Sequence, residues 1–112
     1  MAKTVLKGGL VIDPANKIEQ VADVLIEDGK IARIEANIDC EATEDMEVID
    51  VSGKVVAPGL VDIHAHLRDP GFPEREDFKS STRCAAMGGY TTLIAMPNTD
   101  PVCDHPVVAE YV

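Results

Sequence analysis

The 112 residues carry 20 Asp and Glu against 10 Lys and Arg, a formal charge of −10, and 46% of them are hydrophobic. That apolar share can fill a core, and no run approaches the roughly 20 apolar residues of a membrane-spanning helix, so a membrane anchor is excluded. The acidic balance, with no basic stripe, also excludes nucleic acid as a partner, because phosphate binding draws on clustered Lys and Arg.

Residues 1–56 read as an antiparallel β unit, with short β-branched runs separated by turn residues. Thr4-Val5-Leu6 and Leu10-Val11-Ile12 flank Gly8-Gly9, and Asp13-Pro14 closes the second run. The Gly8, Gly9, Asp13 and Pro14 breaks leave no secretory signal in the opening segment. Val24-Leu25-Ile26 and Ile31-Ala32-Arg33-Ile34 flank Asp28-Gly29, the dipeptide that supplies two positive φ angles to a tight hairpin. Ile31 and Ile34 lie three apart rather than two, which requires either a bulge or an early strand end. Six acids without a base between Asp39 and Asp50 read as a solvated loop and strand edge. A third pair of runs, Val48-Ile49-Asp50-Val51 and Lys54-Val55-Val56, surrounds Ser52-Gly53.

From residue 57 the pattern changes to strand, loop, helix, strand. Leu60-Val61-Asp62-Ile63 reads as a buried strand, and Pro70, Gly71 and Pro73 keep the next stretch in a loop. Phe78, Thr82, Ala85 and Ala86 fall on one face of a helix expected over residues 74–87, which Gly88-Gly89 ends. Thr91 to Met96 is a second buried strand, and Asp104 or His105 can cap a further helix that has Pro106 in its first turn. Two strands joined by a crossover helix pair in parallel. A parallel sheet needs cover on both faces, so this half reads as the opening of a larger α/β domain. Cys40, Cys84 and Cys103 are odd in number and form no CxxC pair, which points to a reducing, cytosolic setting without disulfides.

The chemistry-bearing residues gather at the strand ends. His64 and His66 follow the first buried strand, and alternation along an extended chain turns both imidazoles toward one side, where they can share a metal. Arg68 lies two residues further on, suited to holding a carboxylate through two parallel hydrogen bonds. Asn98 follows the second strand at the matching end and offers both a donor and an acceptor. Taken singly, Arg68 also suits an ion pair with Asp62 or Asp69, and Asn98 suits a turn between Pro97 and Pro101.

The stretch from Pro58 to Gly71, with Glu76-Asp77-Phe78, the segment from Ala85 to Thr92, and Ala95-Met96-Pro97-Asn98-Thr99, resembles the amidohydrolase superfamily in the form seen in dihydroorotases. The combination of His66-Leu67-Arg68 with Pro97-Asn98-Thr99 separates that form from the related hydantoinases and allantoinases. The resemblance implies a small β-sandwich part over residues 1–56 and the first βα units of an incomplete TIM (β/α)8 barrel over residues 57–112. It implies zinc-dependent, reversible hydrolysis of dihydroorotate to N-carbamoyl-aspartate in pyrimidine synthesis, with one or two zinc ions per site. His64 and His66 would bind zinc, while Arg68, Asn98 and His66 would meet the substrate. The remaining ligands and the proton-shuttling aspartate belong to later strands, so no catalytic residue is assigned within residues 1–112, and this segment alone is expected to be inactive. Association into a homo-oligomer, or with another pyrimidine enzyme, is the family expectation.

Overall fold

Asp28 and Gly29 have φ of 50° and 73° in the computed structural model, which describes residues 3–112. These two left-handed conformations close the tight hairpin between β2 (Ile18–Glu27) and β3 (Lys30–Glu35). In β3, Ile31 pairs with Ile26 while Arg33 pairs with Leu25, so Ala32 is an extra residue. The irregular spacing of Ile31 and Ile34 is therefore a bulge. It returns both isoleucines to one side, where they line an apolar cavity of about 120 Å³ with Val11, Val24 and Val56.

The chain divides into two units, the first ending at Pro58 and the second beginning at Gly59. In the first, β1 (Lys3–Asp13) is one continuous strand rather than the two runs expected around Gly8-Gly9. Its register against β2 slips between Leu6 and Gly9, and Gly8 takes a φ of 72° at this bulge. The slip moves the side chains of β1 to the opposite face. Val5 packs with Leu25 and Ile38, whereas Val11 packs with Ala22 and Val24.

One expectation for this unit is corrected. β4 (Met46–Asp50) and β5 (Val55–Val56) do not form a hairpin; both lie beside β1 and run parallel to it, giving a mixed five-stranded sheet. The turn at Ser52-Gly53 loops out opposite the Gly8 bulge and lets the chain resume its direction. A Cβ on Gly9 would stand 2.7 Å from a Val56 methyl, so only glycine permits this close approach. Among the described residues this unit contributes one sheet, with small apolar clusters on its faces.

Asp23 fastens this sheet. The residue is 3% exposed, and its carboxylate accepts from the backbone N–H groups of Gly8 and Ile38, each at 2.8 Å, and from Lys7 Nζ at 2.9 Å. Burial pushes its pKa up, but the N–H of Ile38, Lys7 and the N–H of Gly8 outweigh it and hold the carboxyl below its ordinary 3.8. Asp23→Ala leaves two N–H groups and a cation without their acceptor and is expected to destabilise the chain by about 3 kcal/mol in urea unfolding. Because the folded pKa is depressed, Asp23's contribution is complete above pH 3.8 and disappears as pH falls through the lower folded value. The difference between wild type and Asp23→Ala should accordingly shrink on acidification, and a gap independent of pH would count against this account.

In the second unit, β6 (Leu60–Ala65) and β7 (Tyr90–Ala95) pair in parallel across the helix α1 (Phe78–Met87). The helix begins at Phe78 and not at residue 74, because Asp77 forms a capping box. Its side chain accepts from the Ser80 N–H at 2.7 Å, while the Asp77 N–H donates to Ser80 Oγ at 3.2 Å. Gly88 and Gly89 end the helix, the latter at a φ of 86°. A short helix α2 (Pro106–Tyr111) follows, capped by His105, which explains that histidine without a metal. Val61, Ile63 and Ile94 are each half-exposed or more, so this unit presents an uncovered parallel pair. Among the described residues no helix is long and apolar enough to cross a membrane.

Candidate functional site

Parallel pairing puts the C-terminal ends of β6 and β7 side by side. The Met96 N–H donates to the Ala65 carbonyl at 2.8 Å, extending the ladder by one rung and bringing residues 97 and 98 beside His66. His64 lies within β6 and His66 just past its end. The pairing register slips between Asp62 and Ala65, and the Asp62 carboxylate accepts the His64 N–H at 2.9 Å, which fixes the backbone at the bulge.

The two imidazoles meet through their Nε2 atoms, 3.2 Å apart, with the rings inclined at 62°. His66 Nδ1 stands 2.8 Å from Asn98 Oδ1. An amide oxygen can only accept, so Nδ1 carries the proton and donates, leaving a lone pair on Nε2. This is the tautomer a metal ligand requires, held by an outer partner. Two nitrogens bound to one tetrahedral zinc at about 2.05 Å lie roughly 3.3 Å apart, so the spacing and chemistry of this pair fit the ion. Among the described residues no group of three or more His, Cys, Asp or Glu side chains converges. The chain thus supplies a pair of donors and not a complete metal site.

A cavity of about 420 Å³ opens beside the pair, lined by Asp62, His64, His66, Glu76 and Ser81 among others. Arg68 and Asn98 are not among its lining residues. Three of the four residues singled out from the sequence therefore come together, as His64, His66 and Asn98, with the Asn98 oxygen turned to His66 and its amide nitrogen left for another acceptor. Arg68 stands apart on the loop after β6, half-buried, with a φ of 64°. Neither acid considered as its partner takes it up. Asp62 binds the His64 N–H, and Asp69 accepts the Tyr111 hydroxyl at 3.1 Å. Asp62 was open to recognition as a site residue, since it lies two positions before His64. Glu76 lies in one of the recognised segments, Glu76-Asp77-Phe78, without being singled out there, and Tyr111 carried no such signal, because loop and helix distances are not encoded in local spacing.

The second unit is an α/β segment that presents paired imidazole donors, one of them set by an amide, at the carboxyl end of a parallel strand pair. The family described as dihydro-orotase-like matches residues 53–112, and the chain belongs to that family. It is 46% identical over 112 residues to a dihydroorotase of Aquifex aeolicus, covering 100% of this chain and 26% of the relative. It is 51% identical over 111 residues to a dihydroorotase of Pelotomaculum thermopropionicum, covering 98% and 25%. Among solved structures, the L-hydantoinase (dihydropyrimidinase) of Arthrobacter aurescens superposes with a TM-score of 0.78 at 38% identity, over 91% of this chain and 22% of the hydantoinase. The chain therefore spans about a quarter of the length of the relatives it matches.

Proposed function

We propose that this chain is the N-terminal part of a dihydroorotase, which hydrolyses dihydroorotate reversibly to N-carbamoyl-aspartate in pyrimidine synthesis. The observation that carries this reading is the His64–His66 pair, 3.2 Å apart with His66 set by Asn98. In it, residues 57–112 open a (β/α)8 barrel and residues 1–56 form the small β domain before it. The uncovered β6–β7 pair and the likeness to hydantoinases support that division. The reading places the enzyme in the cytosol, where Cys40, Cys84 and Cys103 would stay reduced.

His64 and His66 would hold one zinc, with further ligands drawn from beyond residue 112. Bound zinc would polarise the amide carbonyl and lower the pKa of a water toward neutrality. Asn98 keeps the His66 proton on Nδ1, so that Nε2 stays a donor to metal while the ring remains oriented. Arg68, which forms no ion pair among the described residues, is available to clamp the ring carboxylate of dihydroorotate and so fix the amide in one position.

The solved structures favour a second reading, in which the substrate is a neutral hydantoin or dihydropyrimidine. A ring without a carboxylate would leave Arg68 unused. The deciding experiment offers the zinc-loaded full-length protein dihydroorotate and, separately, hydantoin and dihydrouracil. Turnover of dihydroorotate alone is expected; turnover of the neutral rings alone would replace the proposal with the second reading.

A further inference from the structure

We infer that Tyr111 is a positioning residue for Arg68, acting through its hydrogen bond to Asp69 on the loop that presents the guanidinium. The inference rests on the dihydroorotase reading and assigns that site a residue from a distant helix.

The Asp69 N–H donates to the Leu67 carbonyl at 2.9 Å, closing a three-residue turn centred on Arg68. With φ at 64°, Arg68 occupies the left-handed form of that turn, which is rare and strained for a bulky residue. Such a conformation persists only where its surroundings over-determine it. Here the Phe72 N–H donates to the Arg68 carbonyl at 2.9 Å, and the Asp100 N–H donates to the Pro70 carbonyl at 3.1 Å. Gly71, at a φ of 108°, lies so close to Asp100 that a Cβ would stand 2.6 Å from the Asp100 Cβ.

Those restraints act on the carbonyl of Arg68 and on residues 70–72. The side chain next to Arg68 is held separately. Tyr111, 42 residues away on α2, donates its hydroxyl to Asp69 Oδ1 at 3.1 Å, and its ring packs on Phe78 with centroids 5.9 Å apart. The hydrogen bond to Asp69 and the charge of that carboxylate raise the phenol's pKa above 10.0, so it remains a donor across the working pH range. Fixing Asp69 fixes the N–H that closes the turn, and with it the direction from which the Arg68 side chain departs. Tyr111→Phe removes one oxygen and leaves the packing on Phe78 in place.

The test is a double-variant cycle in the full-length zinc-loaded enzyme, with kcat/KM for dihydroorotate and zinc content measured for Tyr111→Phe, Arg68→Ala and the two combined. Tyr111→Phe is expected to lower kcat/KM about fivefold, chiefly through KM, with zinc content unaltered. In the Arg68→Ala background the same change should have no further effect, because the residue it positions is gone. An equal fall in both backgrounds would mean that Tyr111 supports the fold at large, and an unaltered Tyr111→Phe would remove it from the site; either overturns the inference alone. A wild-type enzyme inactive on dihydroorotate would instead overturn the functional reading and the inference with it.

Discussion

His64→Ala in the full-length protein is expected to abolish tight zinc binding and to lower turnover of dihydroorotate on the order of 10³-fold. The metal's contribution to the transition state is several kcal/mol, and about 1.4 kcal/mol corresponds to tenfold in rate. In the proposed site His64 and His66, with Nε2 atoms 3.2 Å apart, would share the ion, so deleting either leaves one imidazole from this segment. The loss should therefore appear in two readouts together, zinc per protomer after dialysis and kcat. Because His64 is exposed, the variant should fold as wild type does. Normal metal content with normal turnover would remove the histidine pair from the active site and leave the proposed function without its main support.

The histidines were legible because the period of two along a strand is a local property, and it survives the slip in register between Asp62 and Ala65. Asn98 was legible as a strand-end residue, but its contact was not. The rung between Met96 and Ala65 brings its oxygen to His66, and that rung belongs to the pairing of β6 with β7. The Asp28-Gly29 hairpin was readable for the same reason as the histidines, since two consecutive residues set its geometry. Local spacing was misleading where direction depended on a distant neighbour. Ser52-Gly53 looks like a hairpin turn, yet β4 and β5 both lie along β1, and it is the Gly8 bulge across the sheet that gives the turn its room. The helix start moved from residue 74 to Phe78 because Ser80 completes a reciprocal cap with Asp77, a signal present in the sequence and outranked by the apolar periodicity around it.

Arg68 gives the prediction that separates substrate class from catalysis. Dihydroorotate carries a ring carboxylate and the neutral hydantoins do not, so a guanidinium assigned to that carboxylate should matter for one and not the other. Each charge-assisted hydrogen bond contributes about 1.5–3 kcal/mol, and two made in parallel place the loss in kcat/KM for Arg68→Ala at roughly 10²- to 10⁴-fold. Arg68→Lys keeps the charge but not the planar pair of donors, and should recover only part of that loss. The left-handed φ of 64° at this position adds a second constraint, since any replacement must also occupy the strained turn. For that reason zinc content and thermal stability of each variant should be measured beside the kinetics. If both stay at the wild-type level while kcat/KM for dihydroorotate collapses, Arg68 binds the carboxylate. An unchanged kcat/KM would take Arg68 out of the site and shift the balance toward the neutral cyclic amides.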